Sequence, residues 1–191
     1  MICFAALARF DCITKLLPCN LTFNDKAVII LFPRSKTDQL GVGAEVAIHR
    51  SGSDFCPVAF LEAYIKRLSW EFQLEFPGKL YQGPLFPGLT VRKIATRFGN
   101  AITSLPVAPS PLSRSAATIA LRKGLEKAGH PQASSFTLHS GRRGGASAAV
   151  AAGCDLLTLK RQGRWRSDSC PQLYVDEHVT LNTDFTKFLG I

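Results

Sequence analysis

The chain has no long apolar run: no stretch reaches the roughly 18 uninterrupted apolar residues that a membrane-spanning helix needs. Its opening, Met1 to Ala8, is too short for a signal peptide and lacks the basic start of one. Nothing in the sequence addresses the chain out of the cell. Paired cysteines are missing too. Cys3, Cys12, Cys19, Cys56, Cys154 and Cys170 include no C-x-x-C pair and no pair of histidines close by. That spacing argues against a zinc site and against a secreted disulfide framework, and leaves reduced, mostly buried thiols. Acidic residues are scarce, 14 against 23 Lys and Arg, and they form no carboxylate cluster of the kind that holds Mg²⁺. The resulting net charge of +9 and pI of about 9.5 favour a polyanionic partner, because each neutralised phosphate releases counterions. With 191 residues, 46% hydrophobic and 13 of them Phe, the chain is expected to fold as one domain, 1–191, with a proper core.

The hydrophobic pattern predicts a mainly α fold with a small antiparallel sheet. Ile2 to Leu17 has helical spacing up to Pro18, with no leading tail, as a truncated start would have. Ala27 to Phe32 is a short apolar run with Val28, Ile29 and Ile30, a buried strand. Pro33 breaks it, residues 34–39 have the polarity of a hairpin crossing, and Gly41 and Gly43 permit the turn. Ala44, Val46 and Ile48 then alternate with Glu45, Ala47 and His49 as a half-buried strand does. Pro57 suits a first helical turn, and Val58, Leu61, Ile65 and Leu68 continue the helix to about Trp70. Residues 71–88 read as irregular, Thr90 to Thr103 as a helix, and 104–112 as an exposed Pro-rich loop before a helix from Ser113 to Ala128. From Leu138 nearly everything is helical: His139 to Ala152, a stop at Gly153, Asp155 capping Leu156 to Gln162, and Ser169 to Tyr174. Leu181, Phe185, Phe188 and Leu189 give the tail one apolar stripe.

The chemistry concentrates in the last third. Thr137-Leu138-His139-Ser140-Gly141-Arg142 places an imidazole and a guanidinium three residues apart on one helix face. Trp165 follows Arg142 by 23 residues, and Tyr174 follows Trp165 by nine. Arg9 and Lys36 add two basic groups upstream, 27 residues apart. Breaking a phosphodiester without a metal needs fixed cations on the oxygens, a nucleophile, and an acid for the leaving oxygen. Arginine supplies a planar fork that never deprotonates, and lysine readily lowers its pKa beside other cations. Taken singly, Arg9 is a surface arginine, Lys36 a solvated turn lysine and Trp165 a core residue. A lone His-x-x-Arg is common by chance.

Together these residues resemble the catalytic domain of the tyrosine recombinases, the phage-integrase family. The resemblance runs from Arg9 to Tyr174 and is strongest in the last 55 residues. It implies that Arg9, Lys36, His139, Arg142, Trp165 and Tyr174 are catalytic, with Tyr174 the nucleophile. It further implies that Arg34, Lys36, Arg143, Lys160, Arg164 and Arg166 contact DNA. Tyr174 would attack a scissile phosphate to give a 3′-phosphotyrosyl link and a free 5′ hydroxyl, with no metal or other cofactor. Strand exchange would proceed in a synapse of four protomers on double-stranded DNA. Arg-Phe-Asp near the start and Ser-Lys-Thr-Asp-Gln in the hairpin look like eukaryotic DIRS-type and Crypton mobile elements, which would place the chain in the nucleus. Two departures stand out. The acidic residue expected about three positions after the first arginine is Cys12 here, with Asp11 one earlier. Family members also carry a helical DNA-clamping domain before the catalytic one, and only eight residues precede Arg9. The chain is therefore expected to be weak or inactive by itself. An inactive or domesticated DNA-binding relic, a type IB topoisomerase and an interaction module unrelated to DNA are the alternative readings.

Overall fold

The computed structural model describes residues 1–34, 41–89, 92–95, 101–104 and 107–174. Two short helices open the chain, α1 (Ile2–Ala5) and α2 (Phe10–Ile13). The stretch with helical spacing, Ile2 to Leu17, forms two helices separated at Leu7, whose φ of 45° lies in the left-handed region. Pro18 then opens a 3₁₀ turn, Pro18–Asn20.

The first sheet is antiparallel, with β1 (Leu21–Phe23), β2 (Ala27–Phe32) and β3 (Ala44–His49) in that order. β2 has the bounds its apolar run predicts, and β3 buries Val46 and Ile48 while exposing Glu45, Ala47 and His49. The turn between β1 and β2 is closed by Asn24, whose Oδ1 accepts from the backbone of Lys26 at 2.9 Å and of Ala27 at 2.7 Å, an Asx turn. The β2–β3 pairing confirms the hairpin, with Phe32 opposite Ala44, although 35–40 lie outside the described residues.

Helix α3 (Pro57–Glu75) takes Pro57 in its first turn, where the missing N–H has no partner to lose, and runs about one turn past Trp70. Beyond it come β4 (Pro87–Leu89), β5 (Arg92–Ala95), β6 (Ala101–Ser104) and β7 (Val107–Pro111). These overturn two expectations. The helix read over Thr90 to Thr103 is an antiparallel pair, with Ile94 opposite Ile102, in keeping with the β-branched content of those stretches. The Pro-rich 104–112 loop contains a strand, β7, paired with β4. In a two-stranded sheet every strand is an edge, and an edge tolerates Pro109 and Pro111.

Helix α4 (Arg114–Lys127) matches its expected span and ends at Gly129, with φ of 76°. Three helices complete the described chain: α5 (Ser140–Ala151), α6 (Leu156–Gly163) and the single turn α7 (Ser169–Gln172). Asp155 caps α6 as expected, accepting from the Thr158 backbone at 2.9 Å. The apolar stripe expected over Leu181 to Leu189 lies outside the described residues.

Contacts divide the chain into two compact units. Asp11–Ala117 forms the sheet unit, whose buried side chains include Val28, Ile30, Phe32, Val46, Ile48, Val58 and Leu61. Each removes an aliphatic or aromatic group from water, worth about 1.5–3 kcal/mol. The helical unit joins Met1–Phe10 to the described residues from Thr118 onward. There Leu7, Ala146, Leu159 and Trp165 form a small buried cluster, with Ala149, Val150, Cys154, Cys170 and Tyr174 packed against it. Among the described residues no helix is long and apolar enough to cross a membrane.

Candidate functional site

The site is assembled in the helical unit, and its centre is a buried cation. Arg142 lies near the start of α5 and is only 3% exposed. Burying a guanidinium is costly unless its N–H groups find acceptors. Here one terminal nitrogen donates to the Leu7 carbonyl and the other to the Gly163 carbonyl at 2.8 Å. The guanidinium carbon also lies 4.4 Å from the Trp165 ring centroid and 5.1 Å from that of Tyr174. Two aromatic faces, negative at their centres, thus cover the positive charge.

Both acceptors are in place because of local backbone geometry. Gly163 ends α6, and Arg164 after it adopts the left-handed conformation, φ 54°, that turns the chain back. A Cβ on Gly163 would collide with the Trp165 ring, so only glycine lets the indole fold onto the helix end. On the other side, a Cβ on Gly145 would collide with the Phe4 carbonyl and come within 2.8 Å of Leu7. The glycine of α5 therefore admits the backbone of the first segment, and the kink at Leu7 aims its carbonyl at Arg142. Gln162 holds the same segment from α6, donating to the Ala5 carbonyl at 3.1 Å.

Tyr174 closes the group. Its ring centroid is 5.1 Å from those of both Trp165 and His139. His139 occupies the N-cap position of α5 and is exposed overall, yet its ring rests against Tyr174. Partial loss of hydration, and then the positive charges of Arg142, Arg9 and Arg143, hold its pKa below the ordinary imidazole value. Trp165 is 7% exposed, and its Nε1–H has no hydrogen-bond partner among the described residues. A buried donor without an acceptor costs stability.

Four of the six expected catalytic residues therefore lie together: Arg142, Trp165 and Tyr174 touch one another, and His139 joins them through Tyr174. Arg9 is half-buried and near enough to depress the His139 pKa. Lys36 lies outside the described residues. Of the basic residues expected on DNA, Arg34, Arg143 and Arg166 are exposed. Lys160 is paired with Asp168 at 2.5 Å, and Arg164 reaches the Ala6 carbonyl at 3.4 Å. Asp11, the stand-in for the acid missing at Cys12, pairs with Arg114 at 2.5 Å, and Cys12 is buried. Sequence reasoning passed over Leu7, Gln162 and Ser147. The small residues from Gly144 to Ala149 suit such close packing, but residue type alone does not name the segment that packs there.

No protein-family model matches the chain. In sequence it is 28% identical over 159 residues to an integrase/recombinase xerD homolog of Selenomonas ruminantium, a match covering 83% of this chain and 40% of that protein. In three dimensions it resembles XerA recombinase with a TM-score of 0.64 at 15% identity, over 97% of this chain and 55% of that one. Both its sequence and its fold are thus similar to those of tyrosine recombinases. The XerH site-specific recombinase, in a post-cleavage complex with its palindromic difH substrate, gives a TM-score of 0.60, again at 15% identity, over 99% of this chain and 42% of that one. At such identities the likeness shows the fold, which is that of the tyrosine recombinases. The chain spans about 40% of the length of its curated relative.

Proposed function

We propose that this recombinase homologue cleaves and rejoins DNA strands in site-specific recombination, with Tyr174 as the nucleophile. The observation that carries the reading is that Trp165 and Tyr174 both lie against the buried Arg142 guanidinium, with His139 against Tyr174. The phenol oxygen of Tyr174 attacks the scissile phosphorus and displaces the 5′ oxygen, leaving a 3′-phosphotyrosyl bond. Arg142 and Arg9 hold the non-bridging oxygens as negative charge builds on them, and the indole N–H of Trp165 adds a neutral donor. His139, its pKa held down by partial burial and then by its cationic neighbours, accepts the phenol proton. Lys36 gives a proton to the departing 5′ oxygen. Because Arg142 is covered, docking of a phosphate on it requires the Tyr174 ring to move off the guanidinium.

The partner of this reaction is double-stranded DNA, which the charge of +9 favours, and exchange between two duplexes takes a synapse of four protomers. A mobile-element origin and a nuclear location extend the reading through the Arg-Phe-Asp and Ser-Lys-Thr-Asp-Gln runs. The test is a denaturing gel of the wild type and Tyr174→Phe on nicked duplexes that trap cleavage. A detergent-resistant adduct in the wild type alone is expected. An adduct in both proteins would move the nucleophile elsewhere. None in either, with DNA binding intact, would leave DNA binding without chemistry.

A further inference from the structure

We propose that Ser147 is a positioning residue for the nucleophile: its hydroxyl tethers the main chain of Tyr174 to the helix that carries Arg142. The inference rests on Tyr174 being the nucleophile. The Ser147 side chain lies on α5, five residues after Arg142, which is about 7.5 Å further along the helix axis. Its Oγ donates to the Tyr174 carbonyl at 3.3 Å and is partly buried.

The need for such a tether follows from how little else among the described residues fixes this backbone. Tyr174 does not lie within a helix. It follows α7, a single turn of four residues, and its own N–H reaches only to the Pro171 carbonyl at 3.0 Å. Its ring is held by contacts with Trp165, His139 and Arg142. Ring contacts resist separation and do little to resist sliding, because dispersion and cation–π attraction vary slowly with lateral offset. A hydrogen bond is directional, and weakens steeply when its angle opens. The Ser147 bond therefore supplies what the ring contacts lack, a fixed point on the main chain about which the side chain can turn. That matters because the ring must leave the guanidinium for a phosphate to dock. A tether on the carbonyl permits that rotation while keeping Cα in place, so that the phenol oxygen returns to the same point over the clamp.

Proximity accounts for the expected effect, since small displacements of a reacting group lower the rate without weakening the binding of substrate. At saturating protein, Ser147→Ala in the 191-residue chain should slow formation of the covalent adduct on nicked duplexes about threefold to tenfold, the worth of one hydrogen bond. Its melting temperature and its affinity for the same duplex should stay at the wild-type values. Ser147→Thr, which keeps the hydroxyl, should restore the rate. An alanine variant that cleaves at the wild-type rate, or whose loss follows a fall in melting temperature or affinity, would overturn the tether. So would a threonine variant no better than alanine. Should the wild type give no adduct, the fault would lie with the assignment of Tyr174, and the tether is read spectroscopically. Only three tyrosines are present, so 3-fluorotyrosine labelling gives few ¹⁹F resonances, and Tyr174→Phe identifies the relevant one. That resonance should shift or broaden in Ser147→Ala and return in Ser147→Thr; an unchanged resonance in the alanine variant refutes the proposal.

Discussion

The two units of this chain bury different things. The sheet unit buries hydrocarbon: Val28, Ile30, Phe32, Val46 and Ile48 from β2 and β3, with Val58 and Leu61 from α3. Its notable ion pair, Arg50 with Glu62 at 2.5 Å, stays partly in solvent, where the hydrogen bond to Arg50 holds the Glu62 carboxyl below its usual pKa. The helical unit buries a charge instead. Arg142 is covered by two aromatic rings and held by two backbone carbonyls, an arrangement that costs desolvation and would be a poor choice for stability alone. Hydrocarbon burial is non-directional and tolerates exchange among residues of similar volume. A caged guanidinium depends on each acceptor being where it is. The first unit rests on tolerant packing, and the second on the exact placement of a few groups around Arg142.

The sharpest way to break this comparison is to remove the two centres in turn. Arg142→Ala should lower strand cleavage by about 10²–10³-fold, the usual loss of one fixed oxyanion donor. It also leaves the Leu7 and Gly163 carbonyls without their donor, at about 1–3 kcal/mol each. Ile30→Ala should cost about 2–5 kcal/mol through the cavity it leaves. Hydrogen exchange would separate the two: the arginine variant should lose protection in α5 and α6, and the isoleucine variant in β1 to β3. Identical patterns of loss in both variants would mean that the units open together and that the contrast has no energetic content.

Glycines sharpen the same contrast at smaller magnitude. Gly145→Ala drives a methyl group into the Phe4 carbonyl and should cost about 1–3 kcal/mol, the range for overpacking. Gly124→Ala, in α4 with nothing within 4 Å of the added carbon, should instead stabilise by about 0.5–1 kcal/mol. Chemical denaturation of the two variants gives both signs in one experiment. Asp155→Ala should fall between them, costing about 1 kcal/mol through loss of the α6 cap.

How much of this was written in the sequence follows the same division. β2 and β3 were legible because a β-branched run and a period-two alternation depend on local residue type alone. α4, α5 and α6 were legible through their terminal signals, Gly129, Gly153 and Asp155. The strands β5 and β6 were not, since Ile94 and Ile102 sit in short segments whose apolar spacing fits a helix as well as a hairpin. β7 was hidden by its prolines, which exclude a central strand but not an edge. At the site, His139, Arg142, Trp165 and Tyr174, singled out by their spacings, lie close together in the fold. What the spacings could not carry were the backbone partners: the carbonyls of Leu7 and Gly163, and the hydroxyl that reaches the Tyr174 carbonyl. Every residue has a carbonyl, so residue type gives no hint of which one a distant arginine will use.

The smallest effect expected tests whether the cationic cluster is felt by its neighbours. In the folded chain the His139 pKa lies below its ordinary value of 6.5, through partial burial first and then through Arg142, Arg9 and Arg143. The unfolded chain therefore binds a proton at a pH where the folded chain does not, and stability rises with pH across that window. The contribution is complete above pH 6.5, falls as the solution is acidified below it, and stops changing once His139 is protonated in the folded state as well. Solvent screening at this exposed residue keeps the effect small. Melting temperatures of the wild type and His139→Gln between pH 7.5 and 5 should diverge on the acid side, the wild type falling faster. Parallel curves would mean that the cluster does not act on His139. Binding of a phosphodiester reverses the sign, because an anion placed among these cations favours the imidazolium. DNA binding measured in buffers of different ionisation enthalpy should then report proton uptake near the His139 pKa in the wild type and none in the glutamine variant.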